Sequence, residues 1–596
     1  MRELAYLNKF FLKYKWRFLL GIAFVIASNY FRVLQPRVIR YALDLVIENV
    51  SLFRLYDGFE AQNMLVLGIG KILLLFGVLT IVLALIMGLF MYFMRQTLIV
   101  MSRLIEYDLR NEIFKHYEKL TLSFYKKNNT GDLMARITED VSKVRMYLGP
   151  AVMYAVNLGI LCVLVIYSMV QVNPTLTMYA LIPLPILSFS IYYVTSIINK
   201  QSEAIQAQLS TLNSSAQEVY SGIRTVKSYV QEKRMGEYFG REAEAYKKKS
   251  LKLAKVEAFF RPLMLILIGT STIITIYVGG ILVMNGQISA GNIAEFVIYI
   301  NMLAWPVTSI GWVASIIQRA AASQKRINEF LKTQPDLEAD ETVPITPISG
   351  EVEFDKVSFT YPDTGIEALK EVSFRLKKGE KLAITGRTGS GKTSLADLLV
   401  RMYDVSQGSI RLDAKDIRQH NLSHLREKIG YVPQDVFLFS DTIKNNVRFA
   451  VEDATLDRVK QYTVYAAIKD DIMDLPNQFD TLVGERGVTL SGGQKQRVSI
   501  ARALIKEPEI LILDDCLSAV DTKTEAKITN YLKTYCADKT TITITHRLYA
   551  SMSFDQIIVL DNGRISEKGT HQELMKLGGY YHDLYEKQRV EEVEER

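Results

Sequence analysis

Cysteine is scarce in this sequence, with only Cys162, Cys516 and Cys536 among 596 residues. Their irregular spacing fits no arrangement of metal ligands. The sequence therefore argues against a disulfide-stabilised secreted fold and against a cysteine metal site. The segment that carries Cys516 and Cys536 fits a reducing compartment.

A cleavage site is also missing. The basic N-terminal stretch MRELAYLNKFFLKYKWR leads into an apolar run without the small-residue pattern that signal peptidase requires. We therefore expect a retained first membrane span. Proline is absent from residues 200–261, where charged and apolar residues interleave, and this favours long continuous helices.

The composition is divided unevenly along the chain. A length of 596 residues exceeds what one core supports, so several domains are expected. Residues 1–330 alternate long apolar runs with basic stretches, whereas residues 350–585 have the pattern of an ordinary soluble α/β domain. We assign the net charge of +7 to loops beside membrane spans and expect no nucleic-acid partner.

Six apolar runs reach the roughly 20 residues that cross a bilayer. They lie at 18–34, 64–94, 151–170, 176–198, 259–284 and 293–317. The connections after the third and fifth runs are short and uncharged, while those after the second and fourth are long and rich in Lys and Arg. The positive-inside tendency then predicts that the long loops, the N-terminus and the C-terminal domain are cytoplasmic.

Few polar residues lie within these spans, and their role is open between two interpretations. Intramembrane polar groups often line a pathway, but Arg32 and Glu295 could instead sit near the headgroups and extend towards water. We expect helix kinks at Pro183, Pro185 and Pro306. The polar residues concerned are Asn29, Arg32, Gln35, Asn157, Glu295, Asn301 and Trp305.

A phosphate-binding loop follows an acidic, proline-containing linker at 331–350. The strand pattern at 382–385 leads directly into GRTGSGKT at 386–393 and then an apolar helix, which is the context that such a loop requires. Its backbone N–H groups and the helix N-terminus favour phosphate. Lys392 can reach the β- and γ-phosphates, and the Thr393 hydroxyl can ligate Mg²⁺.

Two carboxylates follow a second buried strand, ILIL at 510–513. Asp514 is placed to hold Mg²⁺ opposite Thr393, and Asp515 to orient the attacking water. The sequence alone does not decide the roles of three further residues. His546 contacts the γ-phosphate or is a core residue, Tyr361 stacks on adenine or is structural, and Gln434 carries no independent signal.

The order of these motifs resembles an ATP-binding cassette (ABC) transporter. Tyr361, GRTGSGKT, Gln434, LSGGQKQR at 490–497, ILILDD, SAVD at 518–521 and His546 resemble its nucleotide-binding domain. LSGGQ separates this family from other phosphate-loop ATPases. Six spans with two long cytoplasmic loops resemble the exporter branch, and TGDLMARITEDV and QEVYSGIRTVKSY look like its coupling segments.

The resemblance implies an all-α membrane domain at 1–330, a linker at 331–350 and an α/β phosphate-loop ABC domain at 351–596. It assigns catalytic roles to Asp515, His546 and Gln434. It also implies that Mg²⁺ is bound by Thr393, Gln434 and Asp514. Asp521 would form the loop that follows the strand carboxylates. ATP would be bound by Tyr361, Gly386, Arg387, Thr388, Gly389, Ser390, Gly391, Lys392, Thr393 and Ser394. A partner's ATP would be bound in trans by Ser491, Gly492, Gly493 and Gln494.

The chain departs from the family at Asp515, where Glu is usual. A carboxylate shortened by one methylene predicts slow hydrolysis, because a displacement of about 1 Å at a catalytic group costs on the order of a hundredfold. Asp here resembles the degenerate subunit of heterodimeric exporters, so we favour a heterodimer of two half-transporters, with a slow homodimer as the alternative.

The function expected is ATP-driven export of drug-like amphipathic molecules or lipids across the cytoplasmic (inner) membrane, by alternating access. The partners expected are a second half-transporter, membrane lipid and this cargo. Two alternatives stand beside it, a peptide exporter and an ATP-sensing or channel-like regulatory subunit. The first is weakened because nothing like a processing peptidase precedes the first span.

Overall fold

The computed structural model describes residues 2–337, 342–484, 490–547 and 554–594. It contains two compact units. The first comprises Met1–Glu118 and Gly131–Thr333, and the second Lys119–Thr130 and Gln334–Arg596. The expected linker at 331–350 lies between the last long helix of the first unit and the first strand of the second, and residues 338–341 of it are outside the described part.

The first unit is built from helices. Six of them have the length and composition to cross a membrane, and each contains one of the six predicted apolar runs. The helices are α1 Asn8–Lys13, α2 Lys15–Leu55, α3 Glu60–Lys119, α5 Thr130–Val172, α6 Pro174–Ser221, α7 Ile223–Ser228, α8 Glu232–Met284 and α9 Ala290–Leu331. The prediction of an all-α polytopic domain is confirmed.

These helices are much longer than a bilayer is thick. The 60 residues of α3, at about 1.5 Å per residue, extend roughly 90 Å, about three times the hydrocarbon thickness. Proline interrupts them little, since Pro36, Pro262 and Pro306 lie inside helices. The one break at a predicted kink is at Ile182, immediately before Pro183.

Two short helices separate the long ones, and the second of them interrupts residues 200–261, where the absence of proline predicted continuous helices. Helix α4, Leu122–Lys127, follows α3 and belongs to the second unit. Helix α7 follows α6. On either side of α7, Tyr220, Tyr229 and Val230 are 71–79% exposed.

Buried polar contacts join the membrane helices to one another. Glu295 of α9 is 0% exposed, and its Oε2 lies 3.1 Å from Nη1 of Arg40 on α2. Tyr299 donates to its other oxygen at 2.9 Å. Asn29 donates to Asn157 at 2.8 Å. The Glu295 side chain therefore does not extend into water, and its negative charge is compensated inside the unit.

The second unit contains two sheets. The four-stranded sheet has the order β2-β1-β4-β5 and the six-stranded sheet the order β10-β9-β3-β8-β7-β6. Its strands are β1 Val352–Thr360, β2 Glu367–Leu376, β3 Lys381–Gly386, β4 Gln407–Leu412, β5 Lys415–Asp416, β6 Ile429–Val432, β7 Ile510–Asp514, β8 Thr540–Ile544, β9 Gln556–Asp561 and β10 Arg564–Gly569.

Within the larger sheet, β9, β3, β8, β7 and β6 are parallel. Strands β7 and β8 are buried along their whole length. Burial on both faces explains the apolar run ILIL of β7. The carboxyl ends of β3 and β7 lie at one edge, where ligands bind in parallel α/β sheets. The helices around the sheets are α10 Lys392–Leu399, α11 Leu422–Lys428, α12 Ile443–Val447, α13 Leu456–Tyr465, α14 Lys469–Met473, α15 Gly492–Leu504, α16 Thr522–Tyr535, α17 His571–Leu577 and α18 Tyr580–Glu594.

Candidate functional site

A glycine-rich loop joins β3 to α10, and its backbone could not be formed by other residues. Gly386 has φ +140°, and a Cβ there would lie 2.1 Å from the Leu560 carbonyl oxygen. Gly391 has φ +100° and a Cβ would lie 2.4 Å from the carbonyl oxygen of Ala368. Both clashes are with backbone, so neither position accepts a side chain. The loop can therefore present its N–H groups at the start of α10.

The Lys392 ammonium is held at this loop. Its Nζ donates to the carbonyl oxygens of Gly386 at 3.0 Å and Arg387 at 2.9 Å. Burial lowers the pKa of Lys392, although the negative charges of Asp514 and Asp515 oppose this effect. The side chain is buried, and its cation is fixed where a phosphate on the loop would need it.

The cavity beside Lys392, called the Lys392 cavity below, brings most of the predicted residues together. It has a volume of about 660 Å³. Its lining includes Tyr361, Thr388, Gly389, Gly391, Lys392, Thr393, Ser394, Gln434, Asp514, Asp515 and His546. Gly386, Arg387 and Ser390 are in the same loop but are not among the lining residues.

Asp514 ends β7 inside the sheet and is 1% exposed. Burial raises its pKa to about 6, which a hydrogen bond from Thr393 partly offsets. Its Oδ2 is buried and has no hydrogen-bond partner among the described residues. A buried carboxylate oxygen without a partner needs a cation or a proton, so Asp514, Thr393 and Gln434 suit an oxygen-ligated cation such as Mg²⁺.

Asp515 follows with a left-handed backbone, φ +44°. Its N–H donates to the Ile544 carbonyl oxygen at 2.8 Å, which ties the residue to the end of β8. Nε2 of Gln434 lies 3.4 Å from Asp515 Oδ2 and donates to it. The structure therefore places Gln434 against the second carboxylate, a contact that no sequence pattern indicates.

His546 lies on the β8 side of the cavity. Burial lowers its pKa, and the nearby Lys392 cation acts in the same direction, against Asp515. Its carbonyl oxygen accepts a hydrogen bond of 2.6 Å from the Gln588 side chain of α18. Sequence reasoning missed Gln588, because an amide on an exposed-looking C-terminal helix carries no signal.

Tyr361 also lines the Lys392 cavity. Its hydroxyl shares a hydrogen bond of 2.8 Å with Ser394, and its ring packs edge-on against Phe359 and Tyr403. Nζ of Lys126 on α4 lies 5.0 Å from the centre of the Tyr361 ring, within cation–π distance. Leu122 of α4 packs against the hydrophobic core of the same unit. Lys126 is a second residue that the sequence did not reveal.

The SGGQ residues lie elsewhere on the second unit. Ser491 is the N-cap of α15, where its side chain and that of Gln494 form a capping box. Ser491 and Gly492 are exposed, and none of residues 491–494 lines the Lys392 cavity. Asp521 caps α16 by accepting from the Thr524 N–H at 3.0 Å. The exposed N-terminus of α15 leaves backbone N–H groups available to an anion outside this chain.

Six membrane-length helices and a phosphate-loop domain with an SGGQ-capped helix define a multi-pass membrane transporter driven by ATP hydrolysis. Comparison with family models agrees in both parts. Residues 18–307 match the family model of the ABC transporter transmembrane region, and residues 369–518 match the ABC transporter family model. The chain belongs to the ABC transporters, as a half-transporter of the exporter type.

Two similar proteins match almost the whole chain, and a third matches about four fifths of it. The probable multidrug resistance ABC transporter ATP-binding/permease protein YheI of Bacillus subtilis is 37% identical, over 99% of this chain and 98% of its own length. The multidrug resistance-like ATP-binding protein MdlA of Escherichia coli is 34% identical, over 99% and 97%. The ATP-dependent lipid A-core flippase of Syntrophus aciditrophicus is 34% identical, over 81% and 80%.

The fold is also found in a solved structure. A bacterial Atm1-family ABC exporter with ATP bound matches with a TM-score of 0.76 and 26% identity, covering 96% of this chain and 99% of that one. The expected fold class and the expectation of ATP-coupled transport are confirmed.

Proposed function

We propose that this chain exports small amphipathic molecules or lipids across the cytoplasmic membrane by alternating access. The observation that carries the proposal is the presence, in one chain, of six membrane helices and an ATPase cavity built around Lys392. The names of the relatives, which include multidrug resistance proteins and a lipid A-core flippase, support this cargo class. The basic long loops support a cytoplasmic N-terminus and ATPase domain.

In this proposal ATP occupies the Lys392 cavity. Tyr361 stacks on adenine, residues 386–394 and the Lys392 ammonium hold the phosphates, and His546 contacts the γ-phosphate. Thr393, Gln434 and Asp514 would hold Mg²⁺, which would neutralise phosphate charge. The unpartnered Asp514 oxygen supports that assignment.

Asp515 is proposed to orient the attacking water, and its short side chain to make this site slow. The contact with Gln434 holds the carboxylate at the edge of the cavity. A catalytic group retracted by about 1 Å can cost on the order of a hundredfold in rate. The site is thus suited to binding ATP while hydrolysing it slowly.

A second half-transporter is proposed to complete both ATP sites. These four residues, Ser491, Gly492, Gly493 and Gln494, are exposed or half-exposed and do not line this chain's own cavity, which suits them to a partner's nucleotide. The apolar residues beside α7, Tyr220, Tyr229 and Val230, offer a further surface for a partner. Since Asp515 weakens one site and residues 491–494 are intact, we favour a heterodimer.

The test is transport by purified protein in proteoliposomes. Because wild-type hydrolysis is expected to be slow, the Asp515→Glu variant is measured beside it. With a fluorescent amphipathic dye or a fluorescent phospholipid as cargo, ATP should drive accumulation against a gradient. The Lys392→Ala variant should abolish accumulation and ATP binding.

Three outcomes would contradict this proposal. Dissipative flux that follows the gradient would indicate a channel-like subunit. Accumulation of a fluorescent peptide offered in parallel, without accumulation of the dye or the phospholipid, would indicate a peptide exporter. Unchanged ATP binding by Lys392→Ala would remove the phosphate-loop assignment.

A further inference from the structure

A groove in the first unit lies far along the chain from the ATP site. Helix α3, the α5 helix and Trp312 of α9 form its three walls, and its volume is about 710 Å³. We call it the Arg95 groove. Its lining residues are Tyr92, Arg95, Gln96, Ile99, Val100, Met146, Pro150, Met153, Tyr154 and Trp312.

The walls are continuous helix faces. The five lining residues of α3 are spaced i, i+3, i+4, i+7 and i+8, and those of α5 follow i, i+4, i+7 and i+8, so each set forms one stripe. Gln96 donates to the Tyr92 hydroxyl at 3.2 Å. The rings of Tyr154 and Trp312 pack edge to face, 5.4 Å apart. These contacts fix polar and aromatic groups before any ligand arrives.

Arg95 gives the groove a single positive charge. No acidic residue is among the lining residues, and the structure gives Arg95 neither a hydrogen bond nor an ion pair with another described residue. Its neighbours on α3 behave differently, since Arg103 and Arg110 pair with Glu106 at 3.0 Å and 2.8 Å. The Arg95 guanidinium therefore retains its donors for a ligand.

The position along α3 places the groove at a membrane boundary. Residues 72–94 contain no charge, and Arg95 is the first charged residue after this run. Met153 and Tyr154 are at the start of the third apolar run and Trp312 is near the end of the sixth. Aromatic residues of this kind concentrate where hydrocarbon meets headgroups. An apolar chain can thus lie along Met153 and Ile99 while a headgroup meets Arg95.

We infer that the Arg95 groove binds an amphiphile with one anionic headgroup, drawn from the leaflet at the Arg95 end of α3. The headgroup pairs with the guanidinium and Gln96, and the apolar chain contacts the methionine and aromatic residues. Hydrogen bonds to charged groups are the stronger ones, and each changes affinity by about tenfold or more. That this amphiphile is cargo rests on the proposed function, whereas its binding does not.

The test uses Trp312 as the reporter. The sequence has three tryptophans, so the Trp16→Phe/Trp305→Phe variant leaves Trp312 alone. In phosphatidylcholine nanodiscs, its fluorescence is titrated with a nitroxide-labelled C16 carboxylate and with a C16 trimethylammonium that carries the same label. We expect saturable quenching by the anionic probe at lower concentration than by the cationic one.

Arg95→Gln should weaken the anionic probe by about tenfold or more and leave the cationic probe unchanged. Arg103→Gln removes the same charge from the same helix outside the groove, and Glu106 still keeps Arg110 and Arg145, so this control should bind both probes like the parent. Arg95→Lys should retain the preference for the anionic probe, which guards against a folding defect in Arg95→Gln.

Equal quenching by both probes, or an unchanged anionic titration in Arg95→Gln, would overturn the inference. Transport of the fluorescent dye is measured on the same variants after reconstitution into proteoliposomes. If the anionic probe does not bind but the dye still accumulates, the groove assignment is wrong and the export proposal stands. If the anionic probe binds but ATP drives no accumulation of the dye, the groove assignment is supported and the export proposal is wrong.

Discussion

Asp515 combines a short carboxylate with a left-handed backbone, φ +44°. Asp is several-fold enriched in that conformation, whereas longer side chains gain no local hydrogen bond from it. Asp515, which replaces the usual Glu, therefore adopts this backbone conformation with little strain. The disadvantage of the replacement is that the carboxylate reaches less far into the cavity. At this position the backbone conformation favours Asp, whereas ATP hydrolysis favours the longer Glu.

The Asp515→Glu variant should hydrolyse ATP faster than the wild type, by about ten- to a hundredfold, because the carboxylate is brought towards the attacking water. Phosphate release by the purified chain in nanodiscs measures this. Asp515→Asn, which removes the charge with little change in size, should be slower than the wild type. Equal rates for the wild type and the Glu variant would contradict the slow-site proposal.

Gln588 gives a second test at this scale, because its side chain donates to the His546 carbonyl. In the Asp515→Glu background, Gln588→Glu removes the donor with almost no change in shape, and kcat should fall by about two- to tenfold. KM for ATP should change little. Gln588→Lys keeps a donor and should retain activity.

The neighbouring Arg589→Gln, which leaves the His546 contact intact, serves as the control for Gln588→Glu. If KM and kcat change together in Gln588→Glu, Gln588 stabilises the whole unit and does not specifically position His546.

Between elements, a buried ion pair in the first unit joins α2 to α9 through Arg40 and Glu295. Arg40 keeps 17% of its side chain exposed and Glu295 none. Glu295→Ala leaves a largely buried cation without its partner and should destabilise the unit by about 3–5 kcal/mol. Thermal unfolding of detergent-solubilised protein measures this loss.

The double variant Arg40→Met/Glu295→Ala should recover much of the stability lost in Glu295→Ala, because no unpaired charge remains. Additive losses in the two single variants and the double variant would show that the pair makes no joint contribution.

The elements also show what a sequence can predict. Apolar runs revealed all six membrane helices, because hydropathy is local, but the run at 18–34 marks less than half of α2, Lys15–Leu55. The phosphate loop and the strand carboxylates were predictable because glycines and strand ends have local signatures. The Glu295–Arg40 pair, Gln588 and Lys126 were not, since each depends on a contact between residues 42 to 255 positions apart.

At the scale of the whole molecule, the SGGQ helix and the Lys392 cavity serve different nucleotides in the proposed dimer. When this chain is combined with a half-transporter that carries Glu after its strand Asp, Ser491→Ala in this chain should lower ATP hydrolysis by tenfold or so, since a hydrogen bond to charged phosphate is lost at the active site. Asp515→Asn in the same complex should change the rate little.

Phosphate release by the co-purified complex measures both variants of this chain. Sensitivity to Asp515→Asn equal to that of Ser491→Ala would favour two equivalent sites. Full activity of this chain purified alone would favour the homodimer.

The length of α3 has a mechanical consequence. A continuous hydrogen-bonded helix of 60 residues is a stiff rod of roughly 90 Å, and tilting it by about 5° displaces its far end by roughly 8 Å. That displacement exceeds the span of one helical turn, and its source is a rotation too small to break side-chain packing. A helix just long enough to cross the bilayer, tilted by the same angle, would displace its far end by about a third of that distance. The extra length of α3 therefore amplifies the movement.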